Sequence, residues 1–162
     1  VHPSGNRLDQ IDMRILVQLQ RQGRMTNVNL ADAVGLSTSP CLLRVKRLEQ
    51  AGYISGYGAH LNLAKLGETV TVFTEITLAD QTMPYFTRFE AAMRGLEEVM
   101  ECHLVSGGYD YLVKFVTRSL SHYQEVMEGL LERPVGISKY FSYIVIKTPV
   151  RKTEQPLLSL FA

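Results

Sequence analysis

Apolar positions along the chain keep a helical period until near residue 69, where it first changes, and that change divides the chain. Before it they recur at three- and four-residue steps in three short runs. Ile11, Ile15 and Leu19 follow Asp9, with Leu16 widening the stripe, and predict a first helix that ends at Gly23. Asp9 stands where a cap is needed, and Asp12 adds negative charge to the first turn, where the helix dipole favours it. Thr26 opens a short second helix through Val28, Leu30, Ala31 and Val34, although Asn29 stands where a capping box prefers Glu or Gln. Gly35-Leu36-Ser37 is a turn: Gly35 suits a left-handed helix terminus, and Leu36 can plug the space between helices. A third helix starts around Ser37 to Pro40, with Ser37 or Ser39 as its cap and Pro40 tolerated in its first turn. Cys41, Val45 and Leu48 form its apolar stripe, and Gly52 closes it. The neighbouring pair Leu42-Leu43 cannot both be buried alongside Cys41 and Val45, so one faces outward, toward DNA or a neighbouring helix.

Tyr53 to Tyr57 reads as a short strand or hinge, followed by a polar linker to about Gly67. From Thr69 the period becomes two, with Val70, Val72, Ile76 and Leu78 on one face and Thr71, Phe73, Glu75 and Thr77 on the other. A helix through Phe86, Phe89, Met93 and Leu96 follows, then a strand marked by Met100, Cys102 and Leu104. Ser106-Gly107-Gly108 links it to a third strand, Tyr109 to Thr117. Leu120, Tyr123, Met127, Leu130 and Leu131 line a second helix, stopped by Pro134 and Gly136, and the last strand is Ile137 to Lys147. The order βαββαβ is the ferredoxin-like arrangement, two helices on one face of a four-stranded antiparallel sheet. The expected class is therefore α+β. A three-helix, winged-helix-like helix-turn-helix (1–52) and a hinge with linker (53–67) precede a sandwich domain (68–162), and residues 1–7 form a loose arm. Tyr140, Phe141, Tyr143 and Ile144 load both faces of the last strand with bulk, so the uncovered sheet face is expected to pair with a second copy.

A helix of about eight residues, a glycine turn and a longer helix make the helix-turn-helix pattern, whose second helix enters the DNA major groove. Ser37, Thr38 and Ser39 would lie at base edges or phosphates, with Arg44, Lys46 and Arg47 on the uncovered faces behind them. Spacing alone does not separate this from an ordinary three-helix bundle with a solvated basic face. Charge adds modest support. The chain carries a net charge of only +1, yet residues 1–60 hold seven Lys/Arg against four Asp/Glu, while residues 61–162 hold ten against twelve.

The run LDQIDMRILVQLQRQGRMTNVNLADAVGLSTSPCLLRVKRLEQAGYISGYGAHLN, residues 8–62, resembles the DNA-binding half of the leucine-responsive and asparagine-regulator (Lrp/AsnC) family. ECHLVSGGYDYLVK, residues 101–114, continues the resemblance, which covers nearly the whole chain. It implies a transcription regulator binding double-stranded DNA, dimerised through the C-terminal domain and commonly assembled into octamers. On the residues alone, Ser106 to Asp110 is a plain hairpin turn or a backbone N–H concavity for a carboxylate, with Asp110 available to an ammonium. The resemblance favours the second reading, since the family binds an amino-acid effector around this loop at subunit interfaces. It implies Gly107, Gly108 and Asp110 at the charged end, Leu104 and Tyr109 along the apolar part, and Ser142 supplying a hydroxyl from a neighbouring subunit. Relatives often carry an acidic or amide residue where this chain has Gly108.

Other chemistries find little footing. The composition is 46% apolar and 20% charged, with no apolar run of the roughly 18 residues that a membrane span needs, and a cytoplasmic protein is expected. Cys41 and Cys102 sit among apolar neighbours and read as reduced core residues. His2, His60, His103 and His122 lack metal-ligand spacing, and His103 should face away from Cys102. Gly107-Gly108 has no following Lys-Ser/Thr of a phosphate loop. No catalytic residue, metal or cofactor is expected. The alternatives to an amino-acid-responsive regulator are a ligand-independent architectural DNA-binding protein and the detached sensing subunit of a metabolic enzyme. The latter would leave the N-terminal helices without a role.

Overall fold

In chain order, the computed structural model, which describes residues 8–161, contains helices α1 (Gln10–Arg21), α2 (Asn27–Val34) and α3 (Thr38–Gln50), then strand β1 (Val70–Leu78). Helix α4 (Met83–Arg94), strands β2 (Val99–Leu104) and β3 (Tyr111–Thr117), helix α5 (Leu120–Leu131), strand β4 (Ile137–Ile144) and the short helix α6 (Leu157–Phe161) follow. The loose arm expected at residues 1–7 lies outside the described residues, and so does His2. Two compact units result: Leu61–Pro149 forms one, and the chain up to His60 joins the segment from Val150 onward in the other.

In the N-terminal unit the helix ends follow their caps. The Asp9 carboxylate accepts from the Asp12 N–H at 2.8 Å, and the Asp12 carboxylate accepts from the Asp9 N–H at 3.1 Å, closing a reciprocal capping box at α1. Thr26 Oγ1 accepts from the Asn29 N–H at 3.2 Å at the start of α2. Gly35 ends α2 at φ 74°, a left-handed conformation that costs a Cβ-bearing residue about 1–2 kcal/mol. Ser37 is the residue preceding α3, but its hydroxyl makes no capping bond. The Asn27 side chain instead donates to the Thr38 carbonyl at 2.9 Å and ties α2 to the start of α3. Ile15, Leu19, Leu30, Ala31, Val34, Cys41 and Leu48 are buried together, with Leu36, Val45 and Ile54 packed against them.

Two expectations change in this unit. Tyr53 to Tyr57 forms no strand, only bends and irregular backbone. The segment from Val150 does not belong with the sheet, as a boundary at 68–162 would have it. It lies along α1: Gln20 and Gln155 exchange bonds at 2.8 and 3.0 Å, and Arg21 pairs with Glu154 at 3.0 Å. These polar contacts carry no apolar period for sequence reading to detect.

The second unit is an antiparallel sheet in the order β2-β3-β1-β4, reached by βαββαβ connections. Val72, Ile76, Leu78, Tyr111, Val113 and Phe115 bury one face against Phe89 and Met93 of α4 and Tyr123, Met127 and Leu130 of α5. Thr74 belongs to the same face and is fully buried, its hydroxyl bonded to that of Tyr123 at 2.8 Å. Register and alternation place Phe73, Leu112, Val116, Phe141 and Tyr143 on the opposite face, which no helix of this unit covers. Phe141 and Tyr143 are about half exposed there. Tyr140 and Ile144 turn to the helix side yet stay exposed, because β4 is an edge strand. At Gly136 φ is 81°, and an added Cβ would lie 2.4 Å from Cδ1 of Tyr85, so both backbone and space require glycine.

Candidate DNA-binding and effector sites

The third helix presents Ser37, Thr38 and Ser39 at an exposed N-terminal turn, with Lys46 exposed further along. Arg44 and Arg47 are differently placed. The Arg44 guanidinium donates to Asp9 at 2.6 Å and to Asp12 at 2.8 Å, and Arg47 donates to the other oxygen of Asp12. Asp12 is buried, with its side chain 1% exposed. A buried carboxylate needs charged partners, so these arginines clamp α3 to the start of α1. The Asp12 N–H, and after it Arg44, holds the Asp9 carboxyl below its usual range, while Asp9 and then Asp12 raise the Arg44 guanidinium. Each arginine thus already has a carboxylate partner, which the sequence did not suggest, although 27% and 41% of their side chains stay exposed, and Lys46 is the most open cation of that set. Leu42 and Leu43 are both exposed, where one had been expected outward.

The β2–β3 hairpin carries the expected effector residues. Val105 donates to the Asp110 carbonyl at 2.9 Å, closing a connection through Ser106, Gly107, Gly108 and Tyr109. Gly107 has φ 154°, and a Cβ at Gly107 or Gly108 would meet nothing within 4 Å, so both backbones are approachable. Tyr109 is half-buried. Leu104, 57% exposed, lines a groove of about 420 Å³ with Glu90, Arg94, Cys102 and Tyr111.

Asp110 differs from expectation. It is buried, and its two carboxylate oxygens accept from the Leu78 N–H and from Gln81 Nε2, each at 2.8 Å. The carboxylate turns inward and holds the end of β1, so the acceptor expected for an ammonium is already engaged. β3 starts at Tyr111 rather than at Tyr109, as expected from the sequence, although the Asp110 N–H still donates to the Ile76 carbonyl at 3.0 Å. Ser142 is likewise occupied. It sits opposite Thr74 on the helix side of the sheet, with its hydroxyl bonded to Tyr123. Sequence reading missed this Thr74–Tyr123–Ser142 chain, since a buried Thr in an alternating strand gives no distinct signal.

Among the described residues no group of His, Cys, Asp and Glu is arranged to hold a metal. His103 pairs with Glu101 at 3.3 Å on the uncovered face, where Lys114 also reaches Glu101 at 2.6 Å. Cys102 faces the helices, so the two neighbours do diverge. Burial pushes the Cys102 thiol up to about 11 and raises that of Cys41, and both cysteines are free. Neither is activated toward nucleophilic chemistry. No helix among the described residues is long and apolar enough to cross a membrane.

A helix-turn-helix joined to a ferredoxin-like sheet domain is the build of a ligand-sensing transcription regulator. Family models agree in both halves: a winged helix-turn-helix DNA-binding model matches residues 8–55, and the Lrp/AsnC ligand binding domain matches residues 71–155. The chain belongs to the Lrp/AsnC family of transcriptional regulators. It is 47% identical over 145 residues to the transcriptional regulatory protein DoeX of Halomonas elongata, covering 90% of this chain and 92% of that one. It is 45% identical over 143 residues to the leucine-responsive regulatory protein of Escherichia coli, covering 88% and 87%. Among solved structures, a transcriptional regulator from Neisseria meningitidis in complex with L-methionine superimposes with a TM-score of 0.88 at 32% identity, covering 96% of this chain and all of the other. The AsnC protein of E. coli gives 0.82 at 27% identity, covering 93% and 100%. These relatives are regulators rather than enzymes.

Proposed function

We propose that this protein is a cytoplasmic regulator that binds double-stranded DNA through α3 and changes its DNA affinity or assembly when a free amino acid occupies its sheet domain. The observation that carries the reading is the fold shared over nearly its full length with a relative solved with L-methionine. The Gly107-Gly108 backbone offers unobstructed N–H groups for the effector carboxylate. Leu104 and Tyr109 supply apolar surface beside it. Asp110 acts indirectly here, fixing the hairpin to β1 through Leu78 and Gln81. Ser142, exposed on β4 and bonded to Tyr123 in the single chain, supplies its hydroxyl to the effector of a neighbouring subunit.

A homodimer formed by the uncovered sheet faces, assembling further to an octamer, completes the proposal. Phe141 and Tyr143 stand about half exposed on that face next to Phe73, an apolar patch of the kind that copies of a chain cover. Titration calorimetry of the intact protein against a panel of free amino acids tests the sensor. One or a few should give saturable heats. If none binds and DNA affinity ignores all of them, the protein is an architectural DNA binder instead.

A further inference from the structure

On α3 the side turned away from the N-terminal core has an unusual make-up. At 3.6 residues per turn, Ser39, Leu43, Lys46 and Gln50 fall along one line with Leu42 at its flank, opposite the buried Cys41 and Leu48. Leu43 is 68% exposed and Leu42 41%, and neither packs on the core of this unit. A single exposed leucine needs no explanation. Two adjacent ones, in the middle of the face that a helix-turn-helix lays in the major groove, do.

The cations sharpen the point. Bidentate Arg or Lys recognises guanine, whereas apolar side chains contact the thymine C5-methyl. Arg44 and Arg47 are held by Asp9 and Asp12. What α3 offers a duplex is small hydroxyls, Lys46 and the leucine pair. Lys46, set between the leucines on the same face, gives the leucine pair a neighbouring charge that a phosphate-lined groove attracts and an ordinary protein interface tends to exclude.

We propose that Leu43, flanked by Leu42, is a specificity-determining residue that reads thymine methyl groups in the major groove, so that the operator half-site carries thymine opposite this helix. The proposal rests on α3 being the recognition helix. It assigns to the middle of α3 a readout by shape and methyl contact, with Lys46 anchoring to the backbone or an adjacent base.

The test starts from duplexes selected from a random library by the intact protein. Each thymine is then replaced singly by deoxyuridine, which removes one methyl and leaves the hydrogen-bonding edge intact. For the parent protein, one or two positions per half-site should lose affinity about fourfold, the ratio corresponding to about 0.8 kcal/mol for one buried methyl-sized group. Leu43→Ala, whose side chain lies outside the core and whose fold is checked by circular dichroism, should bind the thymine and uracil versions alike. A Leu43→Ala protein that keeps the parent's full sensitivity at every position overturns the proposal, as does a parent indifferent to every replacement while binding DNA tightly. If Leu43→Ala leaves DNA recognition untouched but lowers the mass of the assembly, Leu43 covers a second copy and the proposal is wrong. A parent that selects no duplex removes the recognition-helix reading and this inference with it, a result distinct from the preceding ones.

Discussion

Replacing Asp12 by alanine removes the one buried charge that joins α1 to α3. Three bonds disappear: Arg44 to one oxygen at 2.8 Å, and Arg47 and the Asp9 N–H, the latter at 3.1 Å, to the other. A hydrogen bond to a charged group contributes about 1.5–3 kcal/mol when well shielded. The arginine side chains are 27% and 41% exposed, however, so on release they regain water and each loss falls to about 1 kcal/mol. Weakening the helix cap adds about 0.5–1 kcal/mol. Relief of the desolvation of Asp12 offsets part of this, which leaves a net destabilisation of about 2 kcal/mol. Urea unfolding of the intact protein, followed in the transition that reports the N-terminal helices, measures it. Asp9→Ala is the comparison: its side chain is 49% exposed, and it should lose only about 1 kcal/mol. The Asp12→Ala and Arg47→Ala losses should also be non-additive, because they remove the same contact. An Asp12→Ala protein within 0.5 kcal/mol of the parent, or strict additivity with Arg47→Ala, would refute the clamp and return both arginines to the DNA face.

Gly136→Ala forces a Cβ to within 2.4 Å of the Tyr85 ring at φ 81°, and should destabilise the sheet unit by roughly 2–4 kcal/mol in thermal unfolding, whereas unchanged stability would mean that Tyr85 swings away freely. Asp110→Ala leaves the buried Leu78 N–H without its acceptor and should lower stability by about 1–3 kcal/mol even with no amino acid present. A purely effector-binding role would instead weaken ligand affinity and leave the apo-protein's unfolding midpoint unmoved. Phe141→Glu or Tyr143→Glu places a carboxylate on the uncovered sheet face, and light scattering should find smaller species for at least one of them. If both retain the parent's mass, copies meet through another surface.

Much of the fold was legible because its signals are local. The Asp9 and Thr26 caps, the left-handed Gly35 and the change from helical to alternating period each follow from a few neighbouring residues, and the βαββαβ order follows from them. What escaped depends on residues far apart in sequence. Arg44 and Arg47 look like free basic side chains until Asp9 and Asp12 are brought beside them, 32 to 35 positions away. Asp110 looks like a ligand acceptor until β1 supplies Leu78 and Gln81 follows it. The attachment of Glu154 and Gln155 to α1 spans more than 130 positions and uses side-chain amides and charges, which leave no periodic trace. In each case a polar residue read as functional, or as linker, proved to complete a structural contact.

The proposed function couples DNA binding to amino-acid occupancy within one chain. The most direct measurement is the equilibrium affinity of the intact protein for a selected duplex, taken at fixed salt with and without each free amino acid and paired with the mass of the protein in the same solutions. Tight, salt-dependent DNA binding is expected, together with a shift of severalfold or more in affinity, or a change in assembly, caused by one amino acid or a small related set. Tight DNA binding that no amino acid alters, at unchanged mass, would contradict it.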